Sequence, residues 1–270
     1  MVHLITQFYK VNYNNQPEDL IRKRQNEITQ CLKSNLEYQF IEKIHFLYEH
    51  ESDVEFMVQE GIFKENPKLI ISELGHRLTY SDVFQYANQN LSGEVCVYAH
   101  SDMMLTEGFE KLTNQNMNPN KIYCLTAHDH KRCSKRFKCD CVRQFVTPKG
   151  IYTPTVDGIV FKGGHIKNEV IEKCNHIMHR MGSENRMIAI CKYAGYDVIC
   201  PNILLYAKHI HYVKIFAQQH NTWIELSGEC KPLEYYQKIH RQQASLAYDK
   251  KIVGGGIPFY DGTAQLVNEF

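Results

Sequence analysis

The chain has no apolar run of membrane-spanning length, no low-complexity tract, almost no net charge and no glycine-rich loop after its first apolar segment. Each shortage removes a class of function. A membrane helix needs about twenty consecutive apolar residues, and nothing here approaches that. With 31 basic and 30 acidic residues the net charge is +1, so no global field draws the chain to nucleic acid or to an anionic membrane. The first apolar segment runs into Tyr9-Lys-Val-Asn-Tyr13. That stretch lacks the glycines with which many nucleotidyltransferases wrap phosphate. The opening Met1-Val-His-Leu-Ile-Thr-Gln-Phe-Tyr9 also lacks the anatomy of a signal peptide. A soluble, cytoplasmic protein is expected.

Cysteine is present in quantity, ten residues in 270. Cys31, Cys96, Cys124, Cys174, Cys191 and Cys200 lie in apolar, periodic segments. There they read as small buried hydrophobes of a reducing compartment, not as a disulfide framework. The length allows one large domain or two small ones. No clean linker divides the chain, so the best parse is one domain over 1–222 with a C-terminal extension over 223–270.

Hydrophobic periodicity alternates strand and helix. Strands are expected at Leu4–Tyr9, Ile44–Tyr48, Leu69–Ser72, Val95–Ala99, Ile122–Ala127, Gly158–Gly164 and Tyr196–Cys200, with strand-like sequence over Leu204–Phe216. Helices are expected at Glu18–Ser34, Thr79–Asn90, Asn168–Met181 and Glu184–Ala194, with another beginning near Glu107. Thr79 and Asp82 form a capping pair, and Gly195 ends its helix. Such alternation predicts an α/β fold with a mainly parallel central sheet flanked by helices.

Four constellations carry chemistry. Asp102 closes the apolar run Val95–Ala99 through His100-Ser-Asp102. It is therefore either the N-cap of a following helix or a carboxylate at the carboxyl edge of a sheet, where α/β proteins bind ligands. His209 and His211 share a face of an extended segment, and imidazole plus carboxylate suits a borderline divalent ion. Gly75-His-Arg-Leu-Thr-Tyr80 precedes a helix, and Arg77 there is either an exposed residue of an ordinary capped helix or a bidentate donor to phosphate. Asp157 and Glu184 stand at sharp structural transitions, as general acid–base groups or as ordinary turn and helix-start residues. Finally His128, His130, Cys133, Cys139 and Cys141 lie among six basic side chains. That segment is a solvated basic loop, a zinc site at Cys133, Cys139 and Cys141, or a nucleic-acid arm.

In this order the segments resemble the GT-A nucleotide-diphospho-sugar transferase superfamily, in particular the glycosyltransferase-like proteins of large DNA viruses and bacteria. The residues that carry the likeness are Arg77-Leu-Thr-Tyr80, His100-Ser-Asp-Met103, Asp157-Gly-Ile-Val-Phe161, Ser183-Glu-Asn-Arg186, Cys200-Pro-Asn202 and His209-Ile-His211. They span roughly residues 3 to 213. The departures are a missing second aspartate near Asp102, Ile159 in place of an aromatic, and Glu184 in place of aspartate.

The resemblance implies a single-domain, Rossmann-like GT-A fold and a hexosyltransferase. It would move a sugar from a nucleotide-sugar, a UDP-sugar first, to an acceptor hydroxyl on a glycan, a protein or another molecule. Thr6, Gln7, Phe8, Tyr9, Arg77, Tyr80 and Ser101 would hold the nucleotide. Asp102, His211 and His209 would hold manganese or magnesium. Glu184 and Asp157 would serve the acceptor, with Glu184 the base if the anomeric centre inverts. A viral member would work in the host cytoplasm. The alternatives are a catalytically silent nucleotide-sugar binding protein, or a nucleic-acid-associated protein using the basic Cys/His loop.

Overall fold

The computed structural model describes residues 1–11, 16–62, 65–125, 127–129, 144–146, 152–154, 156–176, 178, 182–201, 204–210, 222–224, 230–232 and 265–266. In chain order its strands and helices are β1 (Val2–Thr6), α1 (Glu18–Glu37), β2 (Ile41–Tyr48), α2 (Glu51–Gln59), β3 (Leu69–Glu73), α3 (Tyr80–Asn90), β4 (Val95–Ala99) and β5 (Met103–Leu105). There follow β6 (Lys121–Leu125), β7 (Ala127–Asp129), β8 (Gln144–Val146), β9 (Tyr152–Pro154), β10 (Gly158–Lys162), α4 (Asn168–Lys173) and α5 (Ser183–Tyr193). The described elements end with β11 (Asp197–Cys200), β12 (Ala207–His209), β13 (Thr222–Ile224), β14 (Cys230–Pro232) and β15 (Gln265–Leu266).

The central sheet has the order β15-β11-β6-β10-β4-β1-β2-β3. All its pairings are parallel except those of β10, which runs antiparallel to both β4 and β6. The expected α/β architecture is the one observed. Alternation along the strands explains the two-sided burial. In β4, Val95, Val97 and Ala99 face a core shared with Ile28 and Leu32 of α1 and Val54 and Met57 of α2. Cys96 and Tyr98 face the opposite core, with Val83 and Phe84 of α3, Val170 of α4 and Met187 of α5. The six named cysteines are buried and unbridged. Gly158 lets β10 lie beside β4, because a Cβ there would meet the Tyr98 carbonyl oxygen at 2.6 Å.

Strand order reverses at β1, since β2 and β3 extend to one side and β4 lies on the other. Such a switch point opens a crevice at the carboxyl ends of its strands. Here those ends are Thr6 and Ala99, joined by a bond of 2.9 Å from the Thr6 hydroxyl to the Ala99 carbonyl. The Thr79–Asp82 capping box is present at α3, with Thr79 N–H on the Asp82 carboxylate at 2.8 Å and Asp82 N–H on the Thr79 hydroxyl at 3.2 Å.

Four local expectations are corrected. No helix begins at Glu107; Asp102 leads into β5, and only a 3-10 turn comes after it, at Phe109–Lys111. The cause is tertiary. Asn35 of α1 holds both the Met103 carbonyl and the Leu105 N–H, at 2.9 Å each, and β5 pairs with β12. Gly108, at φ 97°, turns the chain where Leu204 O would lie 1.8 Å from any Cβ. The first strand ends at Thr6 instead of Tyr9, so Gln7–Tyr9 form the connection. α4 stops at Lys173 and does not reach Met181. Finally, α2 is a helix that periodicity does not mark, since Val54 and Met57 are its only fully buried residues. Most of 223–270 lies outside the described residues, although β15 within it pairs with β11.

A histidine pair joins β1 to β2. His3 Nδ1 and His45 Nε2 lie 3.0 Å apart, and His45 Nδ1 is 3.0 Å from the Tyr86 hydroxyl. Both rings are buried. Burial, aided by the neighbouring His3 and Lys43, pushes His45 down to about 4, and burial also lowers His3 against the pull of Glu42 and Glu94. The native state therefore holds these rings neutral, while the unfolded chain takes up protons below its ordinary value of 6.5. Stability contributed by the neutral rings is complete above that value and is lost as pH falls toward 4. For His45 alone this amounts to roughly 3 kcal/mol, at about 1.4 kcal/mol per unit. Urea unfolding measured from about pH 7 down to 4.5 should show that loss, with a shallower slope in His45→Gln. An unchanged slope in the variant would locate the acid sensitivity elsewhere.

Candidate active site

Two groups of polar side chains gather at the carboxyl end of β4, one toward each face of the sheet. The first is built on α1. Its inward stripe reads Arg24, Ile28, Cys31 and Asn35, with Glu27 beside Arg24, and all five are buried. Arg24 Nη2 donates to Asp102 Oδ2 at 2.5 Å, and Nη1 donates to Glu27 Oε2 at 2.8 Å and to the Ile210 carbonyl at 3.0 Å. His209 Nε2 also lies 2.9 Å from Asp102 Oδ2. The Ile210 N–H returns to the Asp102 carbonyl at 2.9 Å. A charge-assisted network thus ties α1, the end of β4 and the end of β12 together.

Its electrostatics derive from this geometry. Burial opposes the Asp102 charge, but His209 and then Arg24 hold the carboxyl well below the ordinary carboxylate range. Burial likewise opposes the Arg24 charge, and Asp102 and Glu27 outweigh it so that its pKa is raised. An ionised Asp102 can only accept, so His209 Nε2 must carry the proton of their hydrogen bond.

Of the expected metal ligands, Asp102 and His209 are described, and both are engaged within this network. Asp102 is 6 % exposed and 2.5 Å from a guanidinium. His209 turns its protonated Nε2 toward Asp102, so that nitrogen has no lone pair to give an ion beside the carboxylate. Among the described residues no group of three or more His, Cys, Asp and Glu side chains is placed to hold a metal ion. His211, the side chains of His128 and His130, and Cys133, Cys139 and Cys141 of the basic loop lie outside the described residues.

The second group faces α5. Glu184 stands in the first turn of that helix, and burial raises its pKa, with Asp157 adding to the rise and His100 opposing it. Asp157 sits just before β10, held through its backbone N–H to Leu125 O at 3.2 Å and its carbonyl to His100 N–H at 3.0 Å. The His100 ring nitrogen Nδ1 is 3.8 Å from Asp157 Oδ1. The fold thus brings two carboxyl groups and an imidazole into electrostatic reach of one another from three separate elements. All three are half-buried.

The nucleotide-binding expectations divide by burial. Arg77 is exposed on the loop entering α3, and Gln7, Tyr9 and Ser101 are half-buried at the sheet edge. Tyr80 and Phe8 are corrected: each is 1 % exposed. Tyr80 packs edge-on to Tyr98 and Phe8 stacks on Phe56, so both rings build the core and present no surface to a ligand. Thr6 is buried too, its hydroxyl committed to Ala99. No motif marks Arg24 or Glu27, and the His100-Ser-Asp-Met103 segment opens on His100 without assigning it a role. The signal for the first two is a charged pair on the apolar stripe of α1, where solvated side chains do not belong.

No family model matches the sequence, and no curated protein matches it. Solved structures similar to the chain include a mannosyltransferase from Pyrobaculum calidifontis in complex with GDP-Man and Mn2+, at 12% identity and TM-score 0.46 over 96% of this chain and 66% of that one. They also include S. aureus TarS, at 10% and 0.45 over 77% and 36%. A third is HddC from Yersinia pseudotuberculosis, at 9% and 0.43 over 78% and 94%. This chain therefore spans less than two thirds of the length of the mannosyltransferase and of TarS. At such scores the likeness carries no argument about activity or ligand.

Asp102 belongs to a buried charge network, and removing one partner of such a network leaves the other uncompensated. Asp102→Asn should lower unfolding stability by about 3–5 kcal/mol, read by urea denaturation. A variant as stable as the wild type would show that Asp102 is not a structural partner of Arg24.

Proposed function

We propose that this chain is a glycosyltransferase of GT-A type, transferring a sugar from a nucleotide-sugar to an acceptor hydroxyl. The observation that carries the reading is the meeting of Glu184, Asp157 and His100 beside the β1/β4 switch point. Ligands of doubly wound sheets bind there, and a carboxylate raised by burial is suited to take a proton near neutral pH. Three of the motifs that resemble the superfamily, His100-Ser-Asp-Met103, Asp157-Gly-Ile-Val-Phe161 and Ser183-Glu-Asn-Arg186, carry these residues.

In this reading Glu184 accepts the proton of the acceptor hydroxyl. The freed oxygen forms the new bond to the anomeric carbon. The bond from that carbon to the diphosphate oxygen breaks, and its electron pair leaves with the nucleoside diphosphate. Asp157 orients the acceptor, and its charge keeps the pKa of Glu184 up. Arg77, Gln7, Tyr9 and Ser101 are the side chains at hand for the nucleotide, with a UDP-sugar the first donor to try. Arg77 is the natural partner for phosphate, being cationic, bidentate and exposed.

A screen of nucleotide-sugars, read by release of nucleoside diphosphate, tests the activity. Glu184→Gln should reduce transfer by about 10²–10⁴-fold while the thermal shift given by the nucleoside diphosphate persists. A shift with full-length protein but no turnover for any donor would instead favour a nucleotide-sugar binding protein. No shift with any nucleoside diphosphate would overturn the reading altogether.

A further inference from the structure

The geometry points to Arg24 as the resident cation of the Asp102 site, a side chain that takes the position of a divalent metal and excludes it. The inference rests on the nucleotide-sugar reading only for its consequence, which is that nucleotide binding here is independent of metal.

Four groups converge. Asp102 Oδ2, Glu27 Oε2 and the Ile210 carbonyl all receive hydrogen bonds from one guanidinium, at 2.5, 2.8 and 3.0 Å. His209 approaches the same Asp102 oxygen at 2.9 Å. Two carboxylates, a carbonyl and an imidazole are a donor set suited to manganese or magnesium. Here the guanidinium satisfies its oxygens, and the His209 nitrogen that faces Asp102 offers a proton in place of a lone pair. A divalent ion would have to displace a side chain that is 5 % exposed and anchored on both nitrogens, or accept a like charge beside it.

The placement is not incidental to the helix. Arg24 and Glu27 are one turn apart on the face that carries Ile28 and Cys31. α1 can therefore bury that face only with the guanidinium held against the sheet edge. The missing second aspartate near Asp102 has the same explanation. A cation that is part of the chain needs no further acidic ligand to hold it.

The purified full chain should bind no Mn2+ at this site, measured by loss of the free-ion electron paramagnetic resonance signal. Arg24→Ala removes the cation and leaves Glu27, Asp102 and His209 facing one space. That variant should melt lower than the wild type, gain Mn2+ binding that the wild type lacks, and recover melting temperature when Mn2+ is added. Arg24→Lys, which keeps the charge, should not. Stoichiometric Mn2+ binding by the wild type that disappears in Asp102→Asn would overturn the assignment. So would a folded Arg24→Ala chain that binds no more Mn2+ than the wild type. If Arg24→Ala does not fold, the wild-type titration decides by itself. As a second readout, the thermal shift given by UDP should be the same in EDTA as in Mn2+, and a shift that needs Mn2+ would also overturn it. Failure of every nucleoside diphosphate to bind would count against the nucleotide-sugar reading and leave the Mn2+ titrations to decide this one.

Discussion

A guanidinium inside a protein must be met by negative charge and hydrogen-bond acceptors on every side, because burying it uncompensated costs several kcal/mol. Arg24 is carried inside by its own helix, on the stripe that also bears Ile28 and Cys31. The groups that meet it come from far along the chain: Asp102 after β4, and the Ile210 carbonyl after β12. The docking of α1, the path of the chain after β4 and the position of β12 are therefore one problem with one solution. Asn35, further along the same helix, extends that constraint by holding β5 in extended form through two backbone bonds. The segment after Asp102 is consequently a strand paired with β12.

The central sheet places its chemistry by the same economy of position. β4 ends at the switch point, and its residues alternate between two cores. The side chains just beyond it diverge accordingly. Asp102 turns to α1 and is neutralised there. His100 turns toward Asp157 and the start of α5, where burial leaves Glu184 with a raised pKa. One face of the strand end is held by the Arg24–Asp102–Glu27 network. The other keeps Glu184, whose pKa burial raises. In the proposed reading a rigid support and a group of perturbed pKa, a combination common at functional sites, fall on opposite sides of a single strand.

Much of this could be read without coordinates. Two-sided burial of parallel strands produces continuous apolar runs such as Val95–Ala99, and amphipathic helices repeat their apolar residues at helical spacing. These are local properties of the chain. The capping box at Thr79 and Asp82 is local too, as is the C-terminal Gly195 of α5, at φ 90°. Glu184 and Asp157 are legible as acidic residues at transitions, though only as two separate candidates. Tyr80 escapes local reading for a definite reason. A motif shows that a tyrosine opens a helix, and only the register of that helix shows whether the ring points to the crevice or, as it does, to Tyr98 and His176.

Asp102 shows where the division lies. The sequence by itself determined that a carboxylate stands at the end of a buried strand, that the fold is a mainly parallel α/β sheet, and that a histidine lies in a later extended segment. Those facts come from short-range periodicity and from the high cost of burying unpaired polar groups. Only the tertiary structure decided what the carboxylate does. Its partners are 78 and 107 residues away in the chain, and no local pattern specifies which distant charge will arrive. A metal ion, a helix N-terminus and a guanidinium all satisfy an aspartate equally well on paper. The packing of α1 against the sheet edge placed the guanidinium there.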